Sequence, residues 1–138
     1  MLEHERDRYS NERITEATKL VSEAKKLLKD NSLKDAVICD HKAIFTGMRA
    51  VLAIDDIFPD NDYNTERLFR SRYIDNGMMS EEFETTLDKI TEYYDKIEND
   101  PDFKVGKPET GFFTSKAGFL VIECSDYIVQ RNALYWGQ

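Results

Sequence analysis

Two histidines, His4 and His41, are the only side chains in this 138-residue chain whose ordinary pKa lies near neutral pH. His41 stands inside the most apolar stretch, Ala36–Ile54, and Arg49 follows eight residues later. That spacing is about two helical turns, so both would share nearly one helix face. An imidazole and a permanent cation along one groove are what metal-independent cleavage of a phosphodiester needs: a proton carrier, and a charge to meet the phosphorane. The plainer reading makes both residues hydrogen-bonded structural groups at a bundle edge or a dimer seam. Arg67, Arg70 and Arg72 form the densest positive cluster. Their guanidinium forks suit a phosphate or an acidic partner, and equally suit a solvated face that pairs with nearby acids. Lys89 could add a further cation, and Tyr93 a face for a base to stack on. Tyr94 falls on an apolar stripe and reads as core. Tyr127, Tyr135 and Trp136 read either as interface anchors or as packing. Cys39 and Cys124 lie on apolar faces without CxxC or Cys/His spacing, which makes them small buried hydrophobes. No metal-ligand set and no cofactor motif is present, so neither is expected.

The totals bound the function. The net charge is −8 and the pI about 4.8, which argues against nucleic acid held along a general basic surface, since that affinity comes from Lys and Arg. A basic protein partner is electrostatically welcome. The longest apolar run falls short of the roughly 18 residues that span a bilayer. The charged start, MLEHERDRYS, is no secretory signal. The cytoplasm is therefore expected, with no membrane association.

The chain reads as one domain, 1–138, built from helices. Residues 1–9 are a polar lead-in or an extension of the first helix, with Ser10 or Asn11 as its cap. Ile14, Ala17, Val21, Ala24 and Leu28 recur at helical spacing up to Asp30-Asn31. Ser32-Leu33-Lys34-Asp35 resembles a capping box that opens the central helix. Ala36, Val37, Ala43, Ile44, Met48, Val51 and Leu52 cover most of that helix's girth, which places it mid-bundle. Gly47 lies within it, at a cost of about 1 kcal/mol relative to alanine, and implies a closely approaching neighbour. An acidic loop with Pro59 ends it. A short helix over Thr65–Ile74 stops at Asn76-Gly77. Ser80 caps the next helix, whose stripe is Phe83, Leu87, Ile90, Tyr94 and Ile97. Residues 99–111, with two prolines and two glycines, read as a long loop. The last helix is expected from about Phe112 to Trp136, with Ala117, Leu120, Val121, Cys124, Ile128 and Leu134 inward. No segment alternates like a strand. The fold class is thus all-α, an up-and-down bundle of four to five helices.

With its helices in this order, the chain resembles the HEPN domain family (higher eukaryotes and prokaryotes nucleotide-binding) over roughly residues 12–136. The central helix carries the resemblance best, in Ala43, Phe45, Arg49, Ala50 and Leu52. Leu68-Phe69 through Tyr73-Ile74-Asp75-Asn76-Gly77 is similar to the family's short glycine-ended helix. In the following helix Lys89, Glu92, Tyr93 and Tyr94 occupy a family pattern that usually begins with Arg and has Asp before its tyrosine. The resemblance implies a four- to five-helix bundle, frequent homodimerisation, and pairing with a small nucleotidyltransferase. Some members are metal-independent ribonucleases that act as toxins. Those carry an Arg followed, after four to six residues, by a His. No Arg stands at that interval before His41 or His4, so no catalytic residue carries over.

The leading expectation is therefore a non-catalytic or degenerate HEPN-like binding module, a homodimer paired with a nucleotidyltransferase, with a nucleotide near Arg49, Arg70, Lys89 and Tyr93. One alternative is an RNA-cleaving toxin of a toxin–antitoxin pair that uses His41 and Arg49. Another is a purely structural dimerisation domain.

Overall fold

The computed structural model describes residues 2–136, with side chains to residue 133. Leu134, Tyr135 and Trp136 thus have side chains outside the described part. The described residues form five α-helices: α1 Glu3–Lys29, α2 Leu33–Ile54, α3 Asp62–Phe69, α4 Glu82–Asn99 and α5 Lys107–Trp136. A π-helical turn, Arg70–Ile74, extends α3. Among the described residues there is no strand.

α2 is the axis, and it touches α1, α3, α4 and α5. Its apolar girth explains this: Val37, Ala43, Ile44, Met48, Val51 and Leu52 are all sealed from water, and each of these side chains larger than alanine contributes about 1.5–3 kcal/mol. α1 lays Ala17, Val21 and Ala24 against it, and α4 lays Phe83, Leu87 and Ile90. α5 contributes Phe113, Ala117, Leu120, Val121, Cys124 and Ile128. Gly47 lies where α5 crosses. A Cβ built there would meet Cys124 Sγ at 3.4 Å and Val121 Cγ2 at 3.8 Å, so the expected close neighbour is present. Both cysteines are buried and unpaired.

Three boundaries differ from expectation, and α1 takes the longer of its two readings. α1 begins at Glu3, seven residues before Ser10. The extra turns are held by the Ser10 hydroxyl donating to the Ala50 carbonyl at 2.9 Å and by an Arg6–Asp56 ion pair at 3.0 Å. The Ser32 capping box does not form. Instead Asn31 adopts a positive φ of 61° and lets Ser32 N–H reach the Leu27 carbonyl at 2.8 Å, which turns the chain directly into α2. The short third helix starts early, at Asp62, because the Asn61 side chain accepts from Asn64 N–H at 2.8 Å. The loop expected over 99–111 shrinks to 100–106. Pro108 sits in the first turn of α5, where its missing N–H costs nothing, and Glu109 accepts from the Gly106 N–H at 2.8 Å.

Candidate functional site: a cleft around Asp55

Asp55 ends α2, at the negative pole of that helix, and no basic residue stands in the last turn to balance it. The balance comes from far along the chain. Asp55 Oδ2 accepts from the Tyr73 hydroxyl at 2.6 Å and the Tyr127 hydroxyl at 2.7 Å, and Oδ1 accepts from Arg131 Nε at 2.9 Å. Burial pushes this carboxyl up, but the bonds from Tyr73, Tyr127 and Arg131 outweigh it and hold the pKa below the ordinary value. The tyrosines move the other way. Burial and the Asp55 carboxylate push Tyr73 far up and Tyr127 to about 12. All three groups therefore keep fixed charge states near neutral pH.

The π-helical turn supplies Tyr73. Its Asp75 N–H bonds the Arg70 carbonyl, five residues back, at 2.9 Å. This wider turn buries Tyr73 and Ile74 together while Arg72 stays exposed. Such turns concentrate at functional sites. Around the Asp55 hub opens a cleft of about 730 Å³, lined by Arg72, Arg131, Asn76, Gln130, Ser71 and Met78 together with Asp55 and its tyrosines. Arg72 makes no ion pair with any described carboxylate; its guanidinium lies 5.9 Å from the Tyr73 ring centre. Among the described residues Arg131 pairs with Asp55 alone.

A second, smaller cleft of about 240 Å³ holds His41, Arg49, Asp62, Lys42, Phe45 and Tyr94. His41 is buried between the Phe45 ring at 4.3 Å and the Tyr94 ring at 4.0 Å, the latter nearly parallel. Neither ring nitrogen bonds a described residue. Burial lowers the His41 pKa, with Arg49 in support and Asp62 and Asp95 opposing. Arg49 is not free, because its guanidinium pairs with Asp62.

The residues singled out in the sequence are thus dispersed. His41 and Arg49 do share a cleft. Arg70 is enclosed by Glu66, Asp88 and Glu84 at 2.9, 2.8 and 3.6 Å. Lys89 lies over the Phe112 ring at 5.4 Å. Tyr93 packs edge-on against Phe103 and Phe113 at the core margin. Arg67 is exposed beside Arg70, and His4 is exposed on α1. Asp55, Tyr73, Tyr127 and Arg131 escaped the sequence reading as a group. One signal was present: a carboxylate at a helix C-terminus with no neighbouring cation asks for a distant partner.

No curated protein matches the chain. A model of the HEPN domain family matches residues 10–117, which spans most of α1, all of α2–α4 and the first part of α5, and stops short of Tyr127 and Arg131. Covering well over half of the chain, in an all-helical molecule wound around α2, that match makes this protein a member of the HEPN domain family.

Proposed function

We propose that this chain is a non-catalytic HEPN binding module that receives the phosphates of a nucleotide in the Asp55 cleft. The observation that carries this reading is Arg131, oriented through Nε by a buried carboxylate, in one cleft with Arg72, which no carboxylate among the described residues neutralises. Forked guanidinium groups suit phosphate oxygens. A volume of about 730 Å³ falls within the range of roughly 300–1,000 Å³ typical of small-molecule clefts. The site sits away from Arg49 and Lys89, because Asp62 neutralises the first and the second is spread over Phe112. Calorimetric titration with ATP and GTP tests the reading. Arg72→Ala and Arg131→Ala should each weaken binding about tenfold or more. Absence of heat at millimolar nucleotide removes the nucleotide, and undiminished binding in the double variant removes this cleft.

A second reading rests on His41 and Arg49 lining one cleft, with neither imidazole nitrogen bonded to a described residue. It makes the chain a metal-independent ribonuclease of a toxin–antitoxin pair, and predicts RNA cleavage in EDTA that His41→Ala abolishes. The first reading is favoured because a cleft of about 240 Å³ falls below the range for nucleotide-sized ligands. Pairing with a small nucleotidyltransferase is supported by family membership alone, and co-purification with the product of a neighbouring gene tests it.

A further inference from the structure

The smaller cleft, where α2, α3 and α4 meet, holds a side chain that the bundle leaves unsatisfied. Ile38, His41, Phe45 and Arg49 step by three, four and four, so one face of α2 carries them to it. His41 is only 6% exposed. Phe45 and Tyr94 of α4 stack on its ring with interplanar angles of 26° and 7°. The imidazole is thus clamped and does not turn out to water. Neither of its nitrogens bonds a described residue. Buried polar atoms in folded proteins are bonded in the great majority of cases, and His41 lines this cleft. An occupant of the cleft is what would complete it.

The lining states the chemistry of that occupant. Lys42 is exposed and pairs with no described carboxylate, whereas Arg49 pairs with Asp62. Two cations against one carboxylate leave one positive charge over. Asp95, which also acts on His41, does not line the cleft. Burial keeps the imidazole neutral near pH 7, with one N–H to donate. A group with a single negative charge and two acceptor oxygens answers both the spare cation and that N–H. The other walls, Ile38, Phe45 and Tyr94, call for an apolar remainder. A volume of about 240 Å³ lies below the range for nucleotide-sized ligands and leaves room for a short tail. Inorganic phosphate carries more charge than the lining balances and has no apolar part. We propose that this cleft binds a small monocarboxylate with an apolar tail, held by His41 and Lys42. The proposal gives His41 a ligand in place of the RNA of the second reading. It stands independently of the nucleotide reading, because no residue lines both clefts.

Proton NMR of the whole chain tests it, because the sequence has only two histidines. His41→Phe removes one imidazole signal and so assigns the other to His4, which is exposed on α1 and serves as the internal control. At fixed pH and ionic strength, sodium butyrate should shift the His41 signal and leave His4 in place, with a dissociation constant on the order of 1 mM. Butyramide, its neutral counterpart, and inorganic phosphate should each bind about tenfold more weakly or less. Lys42→Ala, at an exposed position that the core does not use, should weaken butyrate about tenfold while the helical circular dichroism is unchanged. Absence of a His41 shift at tens of millimolar butyrate overturns the proposal and leaves the cleft to water. Butyramide binding as well as butyrate overturns the carboxylate, and phosphate binding as well as butyrate overturns the apolar tail. Butyrate binding indifferent to Lys42→Ala overturns the site.

Discussion

Asp55 occupies a position where a carboxylate alone would be costly: the C-terminus of a helix, its side chain only 7% exposed. It remains ionised because two phenols and a guanidinium converge on it. Removing the acceptor therefore costs more than the bonds themselves contribute, since it strands the Tyr73 and Tyr127 hydroxyls in a part-buried site. Asp55→Ala should lower stability by about 3 kcal/mol, measured by urea denaturation, whereas Tyr127→Phe should cost only about 1 kcal/mol. Equal losses in the two variants would show that Asp55 is not the hub. This site was hard to read from sequence because its members lie 18, 72 and 76 residues from Asp55. No local spacing links them, and the π-helical turn that aims Tyr73 is a backbone choice made by packing. His41 and Arg49 were legible together because one helix sets both.

At the scale of elements, periodicity told the truth wherever an apolar stripe met a partner. α2, Phe83, Leu87 and Ile90 of α4, and Ala117, Leu120, Val121, Cys124 and Ile128 of α5 lie where their spacing places them, whereas Tyr94, expected in the core, is only half-buried and stacks on His41 in the smaller cleft. Periodicity failed where helix was held by something else. Residues 3–9 have no stripe, and they stay helical through Ser10 on Ala50 and Arg6 on Asp56. Residues 107–111 look like a breaker, yet proline is harmless in a first turn. Gly47 offers a sharper case. α5 does approach it, but the nearest atom to an added Cβ is 3.4 Å away, which is ordinary contact. The neighbour therefore does not require glycine. Gly47→Ala should stabilise the protein by about 0.5–1 kcal/mol through helix propensity, read as a higher urea midpoint at unchanged slope. A lowered midpoint would mean that α2 and α5 cannot accept even one methyl at their crossing.

At the scale of the whole molecule, two buried carboxyls shape how stability depends on pH in opposite directions, and His41, whose pKa burial lowers, opposes Asp40 below its ordinary value of about 6.5. Asp40 is fully buried in the middle of α2. Its Oδ2 accepts from the Thr114 hydroxyl on α5 at 2.7 Å, and its Oδ1 has no partner among the described residues. Burial pushes its pKa up to about 7, and the Thr114 bond offsets only part of this. Between its unfolded value near 4 and about 7, the folded state holds a proton that the unfolded state has lost, so stability falls as pH rises across that window and is flat above it. At about 1.4 kcal/mol per unit, the loss amounts to at most about 4 kcal/mol. Asp55 has its folded pKa below the ordinary value, so its contribution is present at neutral pH and is lost as pH falls below about 4. Net charge supports the first trend: it is −8 at pH 7 with a pI of about 4.8, so self-repulsion also relaxes on mild acidification. Asp40 thus costs stability as pH rises from about 4 to 7, and the protein also loses stability below about pH 4 as Asp55 takes up its proton. Urea denaturation at fixed ionic strength measures this without heating a chain near its pI. Asp40→Asn keeps an acceptor for Thr114 and removes the charge, so its stability relative to the wild type should rise as pH goes from about 4 to 7 while the acid arm stays in place. Asp55→Asn should do the reverse. An Asp40→Asn variant whose stability difference from the wild type does not change between about pH 4 and 7 would mean that the orphan oxygen at the centre of the bundle is not what the titration reports.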